Sequence, residues 1–197
     1  LVDVPCTGSG TTRKNPEVWG KWRPSSARSL HSLQFDILRR AIAVTKTGGR
    51  IVYSTCSLDP VENEAVVARA LAEGKVRVVP TRDLLPGVPS EEGVSDWPRL
   101  DDSGELSEWD PLEEKLMPPQ DEWISSQLGG CLRVWNDAIG GGGFFHAVLE
   151  KTPESGDSPE SGRTPFLSPK QYIDPVSFPR PISQKRKTEL EKEWGSS

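Results

Sequence analysis

The sequence predicts an α/β protein built around a parallel sheet. Three features point that way: β-branched runs that are continuous rather than alternating, helical apolar spacing between them, and turn residues at each junction. "LVDVP" at residues 1–5 reads as a buried strand, followed by the turn-rich "CTGSGTTRKNP". From Ser25 or Ser26 as a cap, Leu30, Leu33, Ile37, Leu38, Ala41 and Ile42 recur at helical spacing. "TGG" at Thr47–Gly49 supplies the stop, giving a helix over about 25–46. "RIVYST" at 50–55 is the second strand and the expected neighbour of the first. Asp59 then caps a helix, with Pro60 at its first position and Glu62 placed for a capping box. Gly74 ends that helix, and "KVRVVP" at 75–80 is the third strand. "CLRVW" and "GFFHAVLEK" read as two more strands joined by a glycine-rich connection.

At 197 residues the chain can bury a core as one domain with a tail. Residues 1–151 make the domain, and 152–197 are low-complexity linker and tail, expected to be disordered. Residues 81–128, acidic and rich in Pro and Gly with little periodicity, read as an inserted, largely disordered segment. The net charge of −5 hides an uneven spread. Residues 1–80 carry 12 Lys and Arg against 7 Asp and Glu, whereas 81–128 carry 3 against 13. A basic N-terminal portion is compatible with an anionic partner. The single methionine is Met117, and Leu1 already sits inside an apolar run, so the chain reads as part of a longer one. No segment has the roughly 18 consecutive apolar residues of a membrane span. Three scattered cysteines point to a reducing, intracellular compartment rather than a disulfide framework.

Cys6 and Cys56 both fall at carboxyl ends of predicted strands, where ligands bind in open α/β sheets. The helix after Pro60 would point its positive end at the Cys56 loop and favour thiolate over thiol. The plain alternative is that each cysteine is a small buried hydrophobe. Zinc lacks a ligand spacing, because only His31, His146 and Cys131 remain as candidates. A phosphate-clamping arginine six residues after either cysteine is also missing: those positions hold Thr12 and Glu62.

The text around each cysteine is more specific. "DVPCTGSGTTRKNPEVW" and "VYSTCSLDPVENEAVV" resemble two signature motifs of the NSun (SUN-domain) family of RNA cytosine-5 methyltransferases, nearest to the eukaryotic tRNA-modifying branch. "GGGGFFHAVLEK" resembles that family's final glycine-plus-aromatic strand. The resemblance implies a Rossmann-like, S-adenosylmethionine-dependent sheet of which only the later strands are present. The chain is then the C-terminal half of a catalytic domain and inactive alone. Cys56 is implied as the nucleophile that adds to carbon 6 of cytosine, and Cys6 as the cysteine that assists product release. Asp3, with Pro5, is implied in contacting the cofactor, and Asp3 also in holding a proton on the base. Arg13 and Lys14 are placed to meet RNA phosphates, while Trp19 and Trp22 either stack or pack a helix. The implied partner is RNA, with tRNA foremost, and no metal or membrane. The implied location is the nucleus, with the cytoplasm as alternative. Two other readings stay open: a non-catalytic RNA- or protein-binding remnant, and a redox dithiol using Cys6 and Cys56.

Overall fold

The computed structural model describes residues 1–153. Along the chain run β1 (Val2–Asp3), α1 (Val18–Lys21), α2 (Pro24–Val44), β2 (Arg50–Thr55), α3 (Glu64–Ala72) and β3 (Val76–Val78). They are followed by β4 (Glu91–Glu92), β5 (Arg99–Leu100), β6 (Leu106–Ser107), α4 (Glu122–Leu128), β7 (Leu132–Val134), α5 (Asn136–Ile139) and β8 (Phe144–Lys151). The tail expected over 152–197 lies, from residue 154 onward, outside the described residues.

β1 and β2 pair in parallel, with Val2 opposite Tyr53 and Asp3 opposite Ser54. The remaining order departs from the all-parallel expectation. β8, the last strand among the described residues, enters the centre of the sheet and runs antiparallel to β2, β3 and β7 alike. The strands β1, β2, β3 and β7 therefore share one direction, and β8 opposes them. α3 carries the chain from β2 to β3 and leaves a gap one strand wide, which β8 fills. The fold is a mixed α/β sheet in which the strands that carry the two cysteine loops lie side by side.

α2 buries one stripe, Ala27, His31, Gln34, Phe35, Leu38 and Ile42, at the three- and four-residue spacing of an amphipathic helix. Pro24 occupies its first turn, and extended Arg23 rather than a serine is its cap residue. The missing side-chain cap is supplied from elsewhere: Asp102 accepts from Ser25 N (2.9 Å) and Ser25 Oγ (2.7 Å). The helix stops at Thr45, and Gly48 follows with φ of 73°.

Residues 60–63 form a turn ahead of α3, which begins only at Glu64. Asp59 Oδ1 accepts from Val61 N at 2.9 Å, so it caps that turn and not the helix. Glu62 makes no capping box, because its side chain turns inward. The helix is thus displaced from the Cys56 loop by one turn.

The acidic segment, expected to be largely disordered, is folded. Trp97, Leu116, Ile124 and Leu128 are buried in the main core, and Trp97 Nε1 donates to Leu116 O at 3.0 Å. Its acids serve as caps and ion-pair partners. Asp101 ties a turn through Ser103 N and Glu105 N, Asp110 forms a capping box with Glu113, and Asp121 caps α4. Glu113 pairs with Arg99 at 2.6 Å and Arg28 at 3.5 Å, joining the segment to α2.

Candidate active site

Cys6 and Cys56 leave the carboxyl ends of two adjacent parallel strands, and their sulfurs lie 3.2 Å apart. Both residues are half-buried. At that distance one thiol donates to the other. The Cys56 thiol is lowered to about 7, first by the hydrogen bond from Cys6 and then by backbone N–H, against burial and the negative charges of Asp3 and Glu62. Cys6 is pushed strongly upward by the same bond and by burial, so it keeps the proton. α3 begins one turn further from Cys56 than expected, and the hydrogen bond from Cys6 is the largest of the effects that lower Cys56.

Alkylation of Cys56 by iodoacetamide, read by peptide mass mapping, is accordingly expected to rise as pH increases through about 7 and to level off above it. Cys6→Ala removes the donor and is expected to move that midpoint upward. A midpoint that stays near 7 in Cys6→Ala would show that the neighbouring thiol is not what lowers Cys56.

Sequence reasoning missed the groups that hold the two cysteine loops. Glu62, fully buried, accepts at Oε1 from Thr7 N (2.9 Å) and Gln34 Nε2 (2.9 Å). At Oε2 it accepts from Thr7 Oγ1 (2.5 Å) and Ser57 Oγ. Gln34 also donates to Pro5 O at 2.9 Å, fixing the residue before Cys6. On the other side, Asn63 accepts from Thr55 Oγ1 (2.6 Å) and donates to Ser57 O (2.9 Å), fixing both neighbours of Cys56. A signal was present: each cysteine is followed by a hydroxyl residue, and "ENE" interrupts an otherwise apolar run. Nothing local marked Gln34.

The glycine-rich connection closes a third side. Gly10 N donates to Cys56 O at 2.9 Å, and Gly143 N donates to Gly10 O at 2.7 Å. A Cβ on Gly10 would lie 2.4 Å from Gly143 O and 2.7 Å from Cys56 O, both backbone atoms. The close approach of three chain segments therefore requires glycine here. Asn136 Nδ2 adds a bond to Gly10 O at 2.9 Å.

The other expected residues are distributed as follows. Asp3 is exposed at the end of β1, accepts from Ser54 Oγ at 3.3 Å and acts electrostatically on Cys56. Pro5 is exposed beside it. Arg13 and Lys14 are exposed on the loop after Cys6, with Arg13 next to Gly140 of the glycine-rich connection. Trp19 is 76% exposed, whereas the indole nitrogen of Trp22 is buried. Among the described residues no cluster of three or more His, Cys, Asp or Glu could hold a metal ion. No described helix is long and apolar enough to cross a membrane.

Comparison with known proteins gives this geometry a lineage. The chain is 44% identical over 160 residues to the multisite-specific tRNA:(cytosine-C(5))-methyltransferase of Saccharomyces cerevisiae, covering 79% of the chain and 23% of the relative. It is 41% identical over 164 residues to the tRNA (cytosine(34)-C(5))-methyltransferase of Drosophila melanogaster, covering 77% and 22%. The chain thus spans about a quarter of the length of these curated relatives. Among solved structures, a methyltransferase homologue from Pyrococcus horikoshii aligns with TM-score 0.49 and 28% identity, over 78% of this chain and 38% of that one. The family model described as 16S rRNA methyltransferase RsmB/F matches residues 1–150. That match takes in both cysteine loops, the glycine connection and the central strand β8, and the chain belongs to the RsmB/F methyltransferase family.

Proposed function

We propose that this chain is the part of an RNA cytosine-5 methyltransferase that carries the nucleophile, acting on tRNA. The observation that carries the reading is the 3.2 Å approach of Cys6 and Cys56 at the ends of paired parallel strands, with the Cys56 thiol lowered to about 7 by its neighbour. Carbon 5 of cytosine is a weak nucleophile, and a thiolate bonded to carbon 6 remedies that. Cys56 sulfur forms the bond to carbon 6, and the electron pair of the ring double bond shifts towards carbon 5 and the amidine edge. Asp3, exposed beside Cys56, supports a proton on that edge.

Asp3 and Pro5 offer an open acceptor and an apolar ring surface next to the thiolate, which suits a cationic sulfonium cofactor. S-adenosylmethionine, when bound there, supplies an electrophilic methyl group to carbon 5. The carbon 5 proton then passes to a solvent base, its bonding pair restores the ring double bond, and the carbon 6–sulfur pair returns to Cys56. While Cys56 is bonded to carbon it no longer accepts the Cys6 S–H, which frees Cys6 to act on the adduct and assist release. Arg13 and Lys14 meet the RNA backbone across the loop mouth. A tRNA substrate places the protein inside the cell, in the nucleus or cytoplasm.

The experiment is methyl transfer from labelled S-adenosylmethionine to tRNA by the full-length protein, with 5-methylcytosine read by mass spectrometry. Transfer lost in Cys56→Ala is expected. Transfer that persists in Cys56→Ala would overturn the reading, and RNA binding without transfer by the unaltered full-length protein would favour a binding remnant.

A further inference from the structure

We propose that Glu62 is a positioning residue: its single buried carboxylate clamps the loops after Cys6 and Cys56 together and so sets the approach of the two sulfurs. The inference deepens the reading of the two-cysteine site and rests on it. Three observations carry it. First, the carboxylate is fully buried, and four neutral donors converge on it: Thr7 N, Thr7 Oγ1, Gln34 Nε2 and Ser57 Oγ. A buried carboxylate with neutral donors is costly where packing alone is at stake, since an apolar side chain would avoid the desolvation.

Second, the donors come from both sides of the site. Thr7 follows Cys6 and Ser57 follows Cys56, and their hydroxyls reach the same oxygen, Oε2. Loss of that oxygen removes a tether beside each cysteine at once, while Gly10 N to Cys56 O and Leu58 N to Ser9 Oγ still bridge the loops further out. Third, the clamp itself is anchored. Tyr53 OH donates to Glu62 O at 2.6 Å, and Gln34 links Oε1 to Pro5 O. Glu62 stands on the turn before α3, Thr7 on the loop after β1, and Gln34 on α2, so three elements meet at one carboxyl group.

Clamp and charge predict opposite signs, and this makes the test decisive. The groups acting on Cys56 are Cys6, which lowers its pKa by donating, and Asp3 and Glu62, which raise it by negative charge. If Glu62 were only a nearby charge, Glu62→Gln would lower the alkylation midpoint of Cys56. If it is the clamp, the amide presents N–H groups where acceptors are needed, the loops separate, and the Cys6 donor is lost. The midpoint then rises, by about one pH unit.

The experiment is the pH profile of Cys56 alkylation in the full-length protein, with thermal melting as a control for folding. It needs neither RNA nor methyl transfer, so its failure is separate from failure of the methyltransferase reading. A raised midpoint is expected in Glu62→Gln. The same substitution in a Cys6→Ala background is expected to lower the midpoint, because only the charge effect remains. Thr7→Ala/Ser57→Ala, which keeps the carboxylate and removes both hydroxyl tethers, is expected to raise it and serves where Glu62→Gln fails to fold. An unchanged or lowered midpoint in folded Glu62→Gln, or in the double variant, would overturn the proposal.

Discussion

Arg133→Ala is expected to destabilise the full-length protein by about 3–5 kcal/mol, a large fraction of the roughly 5–15 kcal/mol that holds a typical domain folded. Arg133 on β7 and Glu64 on α3 are 2% and 0% exposed and form a bidentate pair, with Nε on Oε1 at 2.6 Å and Nη2 on Oε2 at 2.5 Å. The third arm, Nη1, donates to Leu58 O at 2.9 Å, two residues after Cys56. Truncation leaves Glu64 charged in the core with Val94 N, at 3.0 Å, as its remaining donor in this group. It also frees the Leu58 carbonyl. The large effect comes from the abandoned carboxylate and not from the attraction itself. Glu64→Gln/Arg133→Met, which removes both charges, is therefore expected to recover a large part of the loss. Urea denaturation of the two variants tests this. A double variant as unstable as Arg133→Ala would mean that the abandoned charge is not the source of the loss.

The sequence announces strands well where they are continuous and β-branched. "RIVYST" becomes β2 residue for residue, and "GFFHAVLEK" becomes β8 less its first glycine. Direction and order are not legible in the same way, since periodicity reports which face is buried and not which strand lies alongside. β8 reaches the sheet centre from the far end of the described chain, and nothing in its own residues says so. The acidic segment misleads for a different reason. Trp97, Leu116, Ile124 and Leu128 are too far apart to show a period, and they pack into the common core rather than forming one of their own.

At the site, the cysteines and Asp3 stand out because they end strands. Glu62 does not, because a glutamate three residues after a capping aspartate also fits a capping box. Burial decides between the two, and burial depends on Thr7 and Gln34, which are 55 and 28 residues away in the chain.

Under the proposed mechanism, Cys6→Ala is expected to make the full-length protein accumulate on its RNA. Attack requires only the Cys56 thiolate, which Cys6→Ala weakens through the raised pKa but does not remove. Release requires the carbon 6–sulfur bond to break, and Cys6 lies 3.2 Å from the Cys56 sulfur. Adduct formation is thus slowed and adduct decay is slowed far more, so bound RNA builds up. Raising the pH by about one unit is expected to speed the build-up, because it restores thiolate at Cys56.

The central claim is that Cys56 attacks and Cys6 releases, and a denaturing gel of full-length protein incubated with tRNA and S-adenosylmethionine tests it most directly. A slow-migrating protein–RNA band is predicted in Cys6→Ala, with none in Cys56→Ala or in the double variant. A band in Cys56→Ala that is absent from Cys6→Ala would contradict the account and exchange the roles of the two cysteines.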